Sequence, residues 1–307
     1  MSGAKLVFGA TRHIGGPCAH ALRRVMSPDL VRVASSRREG AAALADSFRG
    51  SDVIQADMRD VQSMSAALQG VDGVFIVTPD FFDDRRGAEV LIEAARLANV
   101  RPHVVRIQAE IPGVGLGDLR GKLAGAIGRR GHLEARALLE ASGLPCSFLA
   151  IVAYYMDDLL IHFAPTLRHG RLVVPYDRAM AWVDPADIGI AAARLLLAPP
   201  PRAPQVLPVN NGEDGISFAA LAVRITNATG KPVSYVDDED AFRTEIGGLL
   251  RQMTGSDDLT EYLLADWRME REHPHVYRAR PTLGELLGRP PTTLAAWLAA
   301  NAAALVA

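Results

Sequence analysis

A glycine-rich turn near the start of the chain carries the residues with the clearest chemistry. It spans residues 9–15 and lies between an apolar run, residues 5–8, and a helical pattern. Glycines in such a turn let the backbone approach a pyrophosphate, and the free amide groups of the following helix face its negative charge. Strand, turn and helix in this order predict the first βαβ unit of a dinucleotide-binding sheet, although a tight turn without a ligand has the same pattern. The candidate cofactor-binding residues here are Gly9, Thr11, Arg12, His13, Ile14 and Gly15.

Arg12 stands where a glycine usually allows the closest approach of the backbone. A guanidinium at this position has two opposed effects. Turned toward the ligand, it would pair with the pyrophosphate or with a 2′-phosphate. Turned into the groove, it would fill the space that a cofactor needs. We expect the first arrangement, because the other residues of the turn would otherwise have no role, and both arrangements stay open on the sequence alone.

The end of the second predicted strand bears on which dinucleotide the chain binds. In a dinucleotide-binding sheet a carboxylate about 20 residues beyond the turn bonds the ribose 2′-hydroxyl, whereas an arginine there accommodates a 2′-phosphate. Here the strand leads into Ser36, Arg37 and Arg38, without a carboxylate. An arginine fork matches phosphate geometry, so the sequence predicts NADP(H) as the cofactor. The alternative is a solvated pair of arginines at the start of a helix.

Three further strand ends supply candidate cofactor-binding residues. The carboxyl ends of parallel strands lie at one edge of a sheet, and open α/β sheets bind their ligands at that edge. Asp57 could equally cap the helix that follows it. The candidates are Asp57 and Met58 after the third strand, Thr78 and Pro79 after the fourth, and Gln108 at the end of the fifth.

Apolar runs alternate with helical patterns through the first half of the chain. This alternation predicts a Rossmann-type α/β fold, a doubly wound parallel sheet with helices on both faces. A glycine-rich loop at residues 111–118 is expected to be a mobile lid. The predicted strands are residues 5–8, 30–34, 53–56, 73–77, 103–107 and 145–150. The predicted helices are residues 17–25, 40–48, 60–68, 86–98 and 131–141, the last with Gly143 as its C-terminal cap.

The second half is less regular and predicts a smaller, mainly helical substrate-binding part. Residues 181–198 predict a strand and a helix that return to the first domain. Residues 206–236 are expected to form a further small α/β unit with strands at 206–210 and 232–236 and a helix at 217–228. Helical patterns fill residues 240–270 and 293–304. The expected division is an NAD(P)-binding domain at residues 1–155 and a substrate-binding part at residues 156–307.

Composition limits the classes of function open to the chain. Of its 307 residues, 49% are hydrophobic and 22% are charged, as in globular proteins. A formal net charge of −2 argues against nucleic acid as a direct partner. Two cysteines are too few for a disulfide framework or a zinc site, and no signal peptide or membrane span is expected. We therefore expect a cytoplasmic protein with a small-molecule substrate and no metal, and a homodimer is one assembly open to it.

Several segments together resemble the NmrA-like branch of the atypical short-chain dehydrogenase/reductase superfamily. Residues 9–15 are similar to its opening motif Gly-Ala-Thr-Gly-x-x-Gly, with Arg12 in place of a glycine. Residues 57–58 resemble the Asp-Leu pair that lines its adenine pocket, residues 142–145 match its Ser-Gly-Leu-Pro, and residues 182–188 resemble its Val-Asp…Asp-Ile segment. The resemblance covers nearly the whole chain. It implies a Rossmann fold, and the branch holds NADPH-dependent reductases, quinone or azo reductases, and redox-sensing regulators without catalysis.

The catalytic residues implied by this resemblance differ from those of ordinary short-chain dehydrogenases, whose Tyr-x-x-x-Lys pair is missing here. In reductases of the isoflavone-reductase type, a lysine eleven residues before the glycine of Gly-x-Pro serves proton transfer, and counting back from Gly143 places His132 there. A histidine can act as the general acid, and a polar residue at a helix start is the alternative. Tyr154 and Tyr155 follow the sixth strand, where the family's substrate pocket begins; they would suit a flat aromatic or quinone-like substrate, with core packing as the alternative.

Three functions are compatible with these residues. The first is an NADPH-dependent reductase acting on a small aromatic or quinone-like metabolite, of the kind found in secondary metabolism, with His132 as general acid. The second is a regulator that binds the dinucleotide and reports redox state without turnover. The third is a non-redox enzyme, such as a cyclase or a coupling enzyme, whose cofactor site is degraded or filled by Arg12. Aromatic residues near the strand ends favour a small-molecule pocket, so we expect an enzyme.

Overall fold

Parallel strands form the centre of the molecule, as the sequence predicts. The computed structural model describes residues 3–78, 83–109, 128–271 and 277–305. In chain order the strands are β1 (Ala4–Phe8), β2 (Val31–Ser35), β3 (Asp52–Gln55), β4 (Val71–Ile76), β5 (His103–Ala109), β6 (Cys146–Ile151), β7 (Tyr154–Tyr155), β8 (Arg171–Val174), β9 (Ala179–Met180), β10 (Trp182–Val183), β11 (Gln205–Val209), β12 (Ile216–Ser217) and β13 (Ser234–Asp237).

The central sheet has seven strands in the order β11-β6-β5-β4-β1-β2-β3, with neighbours parallel throughout. Strand order reverses between β1 and β4. From β1 the chain continues through β2 to β3 on one side, and from β4 it continues through β5 and β6 to β11 on the other. Such a switch point opens a crevice at the carboxyl ends of the strands, where doubly wound sheets bind dinucleotides. The predicted Rossmann-type fold is confirmed.

Helices cover both faces of this sheet. One face packs against α1, α2, α7 and α12, and the other packs against α3, α4 and α5. Because both faces are covered, strands such as β1 and β6 are buried along their whole length and consist mostly of apolar residues. The helices are α1 (Gly15–Arg23), α2 (Arg38–Ser47), α3 (Val61–Leu68), α4 (Asp84–Leu97), α5 (Gly128–Ala141), α6 (Ala164–Leu167), α7 (Pro185–Leu197), α8 (Phe218–Thr229), α9 (Glu239–Phe242), α10 (Gly248–Thr254), α11 (Asp258–Arg271), α12 (Thr282–Leu287) and α13 (Leu294–Leu305).

The helix predicted to return to the first domain does so by packing closely on α1. Asp184 caps α7 by accepting from the amide of Ala186, and the helix then lies against the start of α1. A Cβ atom on Gly189 would overlap the carbonyl oxygen of Ile14 and approach the amide nitrogen of Cys18 to 2.9 Å. This close approach fixes α7 beneath the glycine-rich turn and so holds the turn in place.

One sequence prediction about the second half is wrong. The strand expected within a separate small α/β unit, residues 206–210, is β11 at the edge of the central sheet, paired in parallel with β6. Helix α7 supplies the crossover that a parallel neighbour requires. Pro208 lies in this strand, and an edge strand tolerates a proline because one of its sides needs no ladder partner. The strand expected at 232–236 is β13, which pairs with β8 outside the central sheet.

The C-terminal part has its own apolar core. Phe218, Trp267 and Trp297 lie in it, together with residues of α6, α8 and α13, and short two-stranded pairs complete the part. The mainly helical character predicted for this half is therefore observed. The loop at residues 111–118 lies outside the described residues. Within the parts of the chain that the structure describes, no helix is long and apolar enough to cross a membrane.

Candidate active site

In the glycine-rich turn after β1, the backbone of Gly15 lies directly against the carbonyl group of Gly9. Gly9 has φ +69°, in the left-handed region, and its carbonyl oxygen accepts from the amide of Arg12 at 2.9 Å. A Cβ atom on Gly15 would overlap that same carbonyl group, so only glycine fits there. Ile14 is the N-cap of α1, and no side chain among the described residues caps this end; the first turn of the helix contains no acidic residue. The amide of Gly16 donates to the carbonyl oxygen of Arg12 at 3.0 Å, and Pro17 has no amide hydrogen, which leaves the amide of Gly15 without an acceptor among the described residues. That amide is open to an anion such as the pyrophosphate of a dinucleotide.

Four exposed side chains surround the turn and the end of β2. Arg12 and Thr11 project from the turn, and Ser36 and Arg37 follow β2. No ion pair or side-chain hydrogen bond joins the guanidinium groups of Arg12 and Arg37 to any residue that the structure describes. The backbone amide of Arg37 donates to the hydroxyl oxygen of Ser35 at 3.2 Å, which turns the chain into α2. Arg12 and Arg37 are therefore exposed cations near the carboxyl edge of the sheet.

Asp57 and Met58 follow β3 at the same edge of the sheet. The carboxylate of Asp57 accepts from the backbone amide of Arg59 at 2.9 Å, and this hydrogen bond holds the pKa of Asp57 below its usual value. The cap of α3 is Asp60, which accepts from the amide of Ser63 at 2.7 Å. The alternative function considered for Asp57, a helix cap, therefore belongs to Asp60. Met58 packs against the apolar core between the sheet and α3 and α4.

A buried charge cluster lies under the carboxyl ends of β4 and β5, and we call it the Asp84 cluster. Its members are Thr78, Asp84, Arg106 and His132. Asp84 and Arg106 form a hydrogen-bonded ion pair with both side chains 3% exposed, and the Thr78 hydroxyl donates to Asp84 at 2.8 Å. Burial raises the pKa of Asp84, and the Arg106 guanidinium opposes that rise. Desolvation makes such a pair costly to separate, so its members are fixed in place.

His132 belongs to this cluster through one ring nitrogen. Its Nδ1 atom lies 3.5 Å from Oδ2 of Asp84 and 3.5 Å from Nη1 of Arg106. The side chain is 17% exposed and projects from α5. The structure thus brings His132 together with Thr78, another sequence candidate, through Asp84. Its role as general acid stays a prediction.

Gln108 lies near the Asp84 cluster and is fully buried at the end of β5. Alternate residues of a strand share a face, so Gln108 lies on the same face of the sheet as Arg106 and closer to the carboxyl edge. Pro79, the remaining candidate at this edge, lies outside the described residues.

Tyr155 meets the glycine-rich turn directly. Its ring stands edge-on to the ring of His13, with 5.5 Å between centroids and 65° between planes. Nδ1 of His13 also makes a short contact with the carboxylate of Asp157, which lies in the single helical turn after β7. We call these three residues the His13 cluster. It joins the glycine-rich turn to the segment that follows the sixth strand.

Tyr154, although adjacent in the chain, lies in a different environment. Its hydroxyl oxygen accepts from Nη2 of Arg178 at 2.6 Å, and its ring lies 6.0 Å from the ring of Trp267. Arg178 is itself buried, pairs with Glu270, and lies over Trp267 with 3.8 Å from the guanidinium carbon to the ring centroid. Burial raises the pKa of Tyr154 well above its usual value. Neighbouring residues of a strand point to opposite faces, which separates the two tyrosines.

The three predicted catalytic residues thus lie in three separate clusters, and sequence reasoning missed most of their partners. Asp84, Asp157 and Glu270 each stand beside another charged residue in the chain, and nothing in the sequence indicates that they are paired. One signal was available: Arg106 interrupts an apolar strand between Val105 and Ile107, and a charged residue within a buried strand requires a partner.

Comparison with known proteins identifies an NAD(P)H-binding domain in the first half of the chain. Residues 9–158 match a protein family described as NAD(P)H-binding. An NAD(P)H azoreductase of Xenophilus azovorans is 29% identical over 307 aligned residues, which cover 97% of this chain and 98% of the relative. The NADPH-dependent quinone oxidoreductase of Escherichia coli, solved in complex with NADPH, has a TM-score of 0.78 and 25% identity and covers 96% of this chain and 99% of its own.

A third protein shares the fold at lower identity. The triphenylmethane reductase of Citrobacter sp., solved in complex with NADP(H), has a TM-score of 0.74 at 19% identity, over 97% of this chain and 99% of its own. The family match begins at Gly9, the first glycine of the turn, and ends at Asp158, just beyond the His13 cluster. Residues 9–158 are thus an NAD(P)H-binding domain, and the relatives that align with almost the whole chain are NAD(P)H-dependent reductases.

Proposed function

We propose that this protein is an NADPH-dependent reductase of small quinone-like or aromatic acceptors. The observation that carries the proposal is the turn after β1, where Gly9 and Gly15 pack against each other and leave the N-terminus of α1 uncapped. The azoreductase and the quinone oxidoreductase align with almost the whole chain, including the part beyond the dinucleotide-binding domain. Both the cofactor and the class of acceptor are supported by that extent of similarity.

The phosphorylated cofactor is favoured by the charges at the end of β2. Arg37 and Arg38 are exposed there and Arg12 is exposed in the turn, and the segment leading out of β2 carries no carboxylate before α2. A 2′-phosphate accepts charge-assisted hydrogen bonds from guanidinium groups, whereas a ribose hydroxyl is best recognised by a carboxylate. NADPH is therefore expected to bind more tightly than NADH.

The residues of the site have separate tasks in this proposal. Bound cofactor supplies the hydride that reduces the acceptor. The amides of α1 and the guanidinium groups of Arg12 and Arg37 hold the phosphates. Tyr155 forms the aromatic wall nearest the turn, where a flat acceptor can stack. Arg178 donates a hydrogen bond to the hydroxyl oxygen of Tyr154 and so fixes that side chain. We therefore assign Tyr154 a structural role, in the packing next to Tyr155. Asp57 and Met58 lie where the adenine end of the cofactor is expected.

Acceptor-dependent oxidation of NADPH tests the proposal. The purified protein is incubated with NADPH or NADH and with menadione, methyl red or no acceptor, and the loss of the reduced nicotinamide absorbance is followed. We expect oxidation that needs an acceptor and is faster with NADPH at equal low concentrations of the two cofactors. Tight NADPH binding without turnover on any acceptor would favour a redox-sensing regulator. Binding that appears only in Arg12→Gly would favour a non-redox enzyme with a blocked site.

A further inference from the structure

Reduction of a quinone needs a proton as well as a hydride. The quinone takes up one hydride and one proton to give the hydroquinone, so a site that supplies only the hydride leaves an anion that must be neutralised. A side chain that holds a proton beside the acceptor typically speeds such a step by about 10²–10⁴-fold. The inference below rests on the reductase function proposed above.

Two histidines stand near the carboxyl edge of the sheet, and their surroundings differ. Nδ1 of His132 lies equally close, at 3.5 Å, to a carboxylate oxygen of Asp84 and to the guanidinium of Arg106. The positive charge of Arg106 opposes a second positive charge on that imidazole. His13 instead faces the carboxylate of Asp157 and has the ring of Tyr155 beside it. Its side chain is 38% exposed, compared with 17% for His132.

The carboxylate of Asp157, beside His13, has few other hydrogen-bond partners. Oδ2 of Asp157 contacts Nδ1 of His13, while Oδ1 is buried without a hydrogen-bond partner among the residues that the structure describes. Asp157 also lies near the carboxyl of Asp184 at the start of α7, whose pKa is raised by burial and by the neighbouring acids. An imidazolium at His13 neutralises part of this local negative charge. The contact between Oδ2 of Asp157 and Nδ1 of His13 fixes the orientation of the ring.

We propose that His13, oriented by Asp157, donates the proton that completes reduction of the acceptor. In this step the acceptor oxygen gains the proton from Nε2 of the imidazolium, and the ring is left neutral with its Nδ1 proton directed at Asp157. Solvent then returns a proton to the partly exposed ring. Asp157 is the positioning residue. Tyr155, in contact with His13, sets the acceptor beside the donating nitrogen.

Three variants test this role. His13→Gln is expected to lower kcat with menadione by about 10²-fold or more, because amide hydrogens are not acidic enough to replace the proton. Its Kd for NADPH, followed by nicotinamide fluorescence, is expected to stay within about threefold, since the phosphates are held elsewhere. Asp157→Asn is expected to show a smaller loss and an alkaline decline in rate that moves to lower pH. His20→Gln, an exposed histidine on α1 that stacks on Phe48, is the matched control and is expected to behave as wild type.

Acceptors that differ in their need for a proton distinguish proton donation by His13 from other roles of this residue. A cationic triphenylmethane dye such as crystal violet becomes neutral on taking up a hydride and needs no proton. His13→Gln is therefore expected to lose menadione reduction far more than any dye reduction that wild type shows. In His13→Gly, added imidazole is expected to restore menadione reduction, and thermal melting of each variant checks that it is folded.

Several outcomes overturn the proposal. His13→Gln with kcat and pH profile like wild type excludes His13 as donor, and a greater loss in His132→Gln than in His13→Gln assigns the proton to His132 instead. A fall in NADPH affinity as large as the fall in kcat makes His13 a cofactor-binding residue only. Failure of the reductase function itself looks different, because wild type would then show no acceptor-dependent oxidation of NADPH.

Discussion

Arginines serve two opposite purposes in two regions of this molecule. In the interior, Arg106 and Arg178 are 3% and 8% exposed, and each pairs with a carboxylate, Asp84 or Glu270. At the carboxyl edge of the sheet, Arg12 and Arg37 are exposed, and no ion pair joins them to another described residue. Carboxylates within the protein neutralise Arg106 and Arg178. The charges of Arg12 and Arg37 are left for an anion that binds from solution.

Desolvation explains the difference. A charge moved out of water loses several kcal/mol of solvation, so a buried arginine persists only with a carboxylate beside it. An exposed arginine needs no such partner, and it contributes little to folding. Loss of a buried pair should therefore lower stability, whereas loss of an edge arginine should lower cofactor affinity and leave stability unchanged. Each variant below tests that separation.

The largest expected effect is on the Asp84 cluster. Asp84→Ala leaves Arg106 buried without its carboxylate and is expected to lower the free energy of unfolding by about 3–5 kcal/mol, measured by urea denaturation. The double variant Asp84→Ala/Arg106→Met is expected to regain much of that loss, because no charge is then buried. Glu93→Ala, which breaks an exposed pair with Arg96, is the control and should change stability little. An Asp84→Ala protein as stable as wild type would contradict the structural role given to this cluster.

His103 is a buried basic side chain that, unlike Arg106 and Arg178, has a hydroxyl rather than a carboxylate beside it. Its Nε2 atom lies 2.9 Å from the Ser147 hydroxyl oxygen, and burial, with Lys5 nearby, lowers the pKa of His103 to about 4. An unfolded histidine titrates near ~6.5, so between these two values the unfolded chain binds more protons than the folded one. Stability should therefore fall as pH drops from about 6.5 toward 4, by up to about 3 kcal/mol.

Urea denaturation at several pH values checks the effect of His103. His103→Asn is expected to flatten the acid limb of the stability curve, and His169→Asn, at an exposed site, should keep the slope of wild type. Equal slopes in His103→Asn and wild type would show that the acid sensitivity arises elsewhere.

Arg37 is one of the exposed arginines, whose loss should lower cofactor affinity and leave stability unchanged. Arg37→Ala is expected to weaken NADPH binding by about 1.5–3 kcal/mol, since a charge-assisted contact with the 2′-phosphate is lost. Binding of NADH and the free energy of unfolding should change by less than about 0.5 kcal/mol. Fluorescence titration with both cofactors measures this, with Arg24→Ala at the far end of α1 as control. Unchanged discrimination between the cofactors in Arg37→Ala would remove the basis for the preference.

Arg12 has the smallest expected effect. If its guanidinium pairs with the pyrophosphate, Arg12→Gly weakens NADPH and NADH binding alike, by on the order of 1 kcal/mol for an exposed ion pair. The same titrations at constant salt measure this change. Tighter binding of both cofactors in Arg12→Gly would mean that the side chain occupies the groove.

The sequence was most informative where local chemistry decides the structure. The turn at Gly9 and Gly15, the left-handed cap at Gly143 and the strand–helix alternation could all be predicted, because turn residues and apolar periodicity are local properties. Strand β11 was misplaced, because its neighbour β6 is distant in the chain and only the crossover through α7 brings them together.

The candidate site was predicted less well than the fold. Asp84 and Asp157 each stand beside a second aspartate in the chain, and nothing in the sequence shows which of the two contacts a candidate site residue. Tyr154 and Tyr155 likewise look equivalent, and the strand geometry that sends one to Arg178 and the other to His13 appears only in three dimensions. Contacts between distant segments decide the environment of all four residues.

A titration with both cofactors shows whether the exposed arginines at the carboxyl edge, Arg12 and Arg37, bind a 2′-phosphate. Wild-type protein is titrated with NADPH and with NADH under the same salt and pH, and nicotinamide fluorescence gives the two dissociation constants. We expect NADPH to bind about 10–100-fold more tightly than NADH, because its 2′-phosphate accepts one or more charge-assisted hydrogen bonds. Equal dissociation constants for the two cofactors would contradict it.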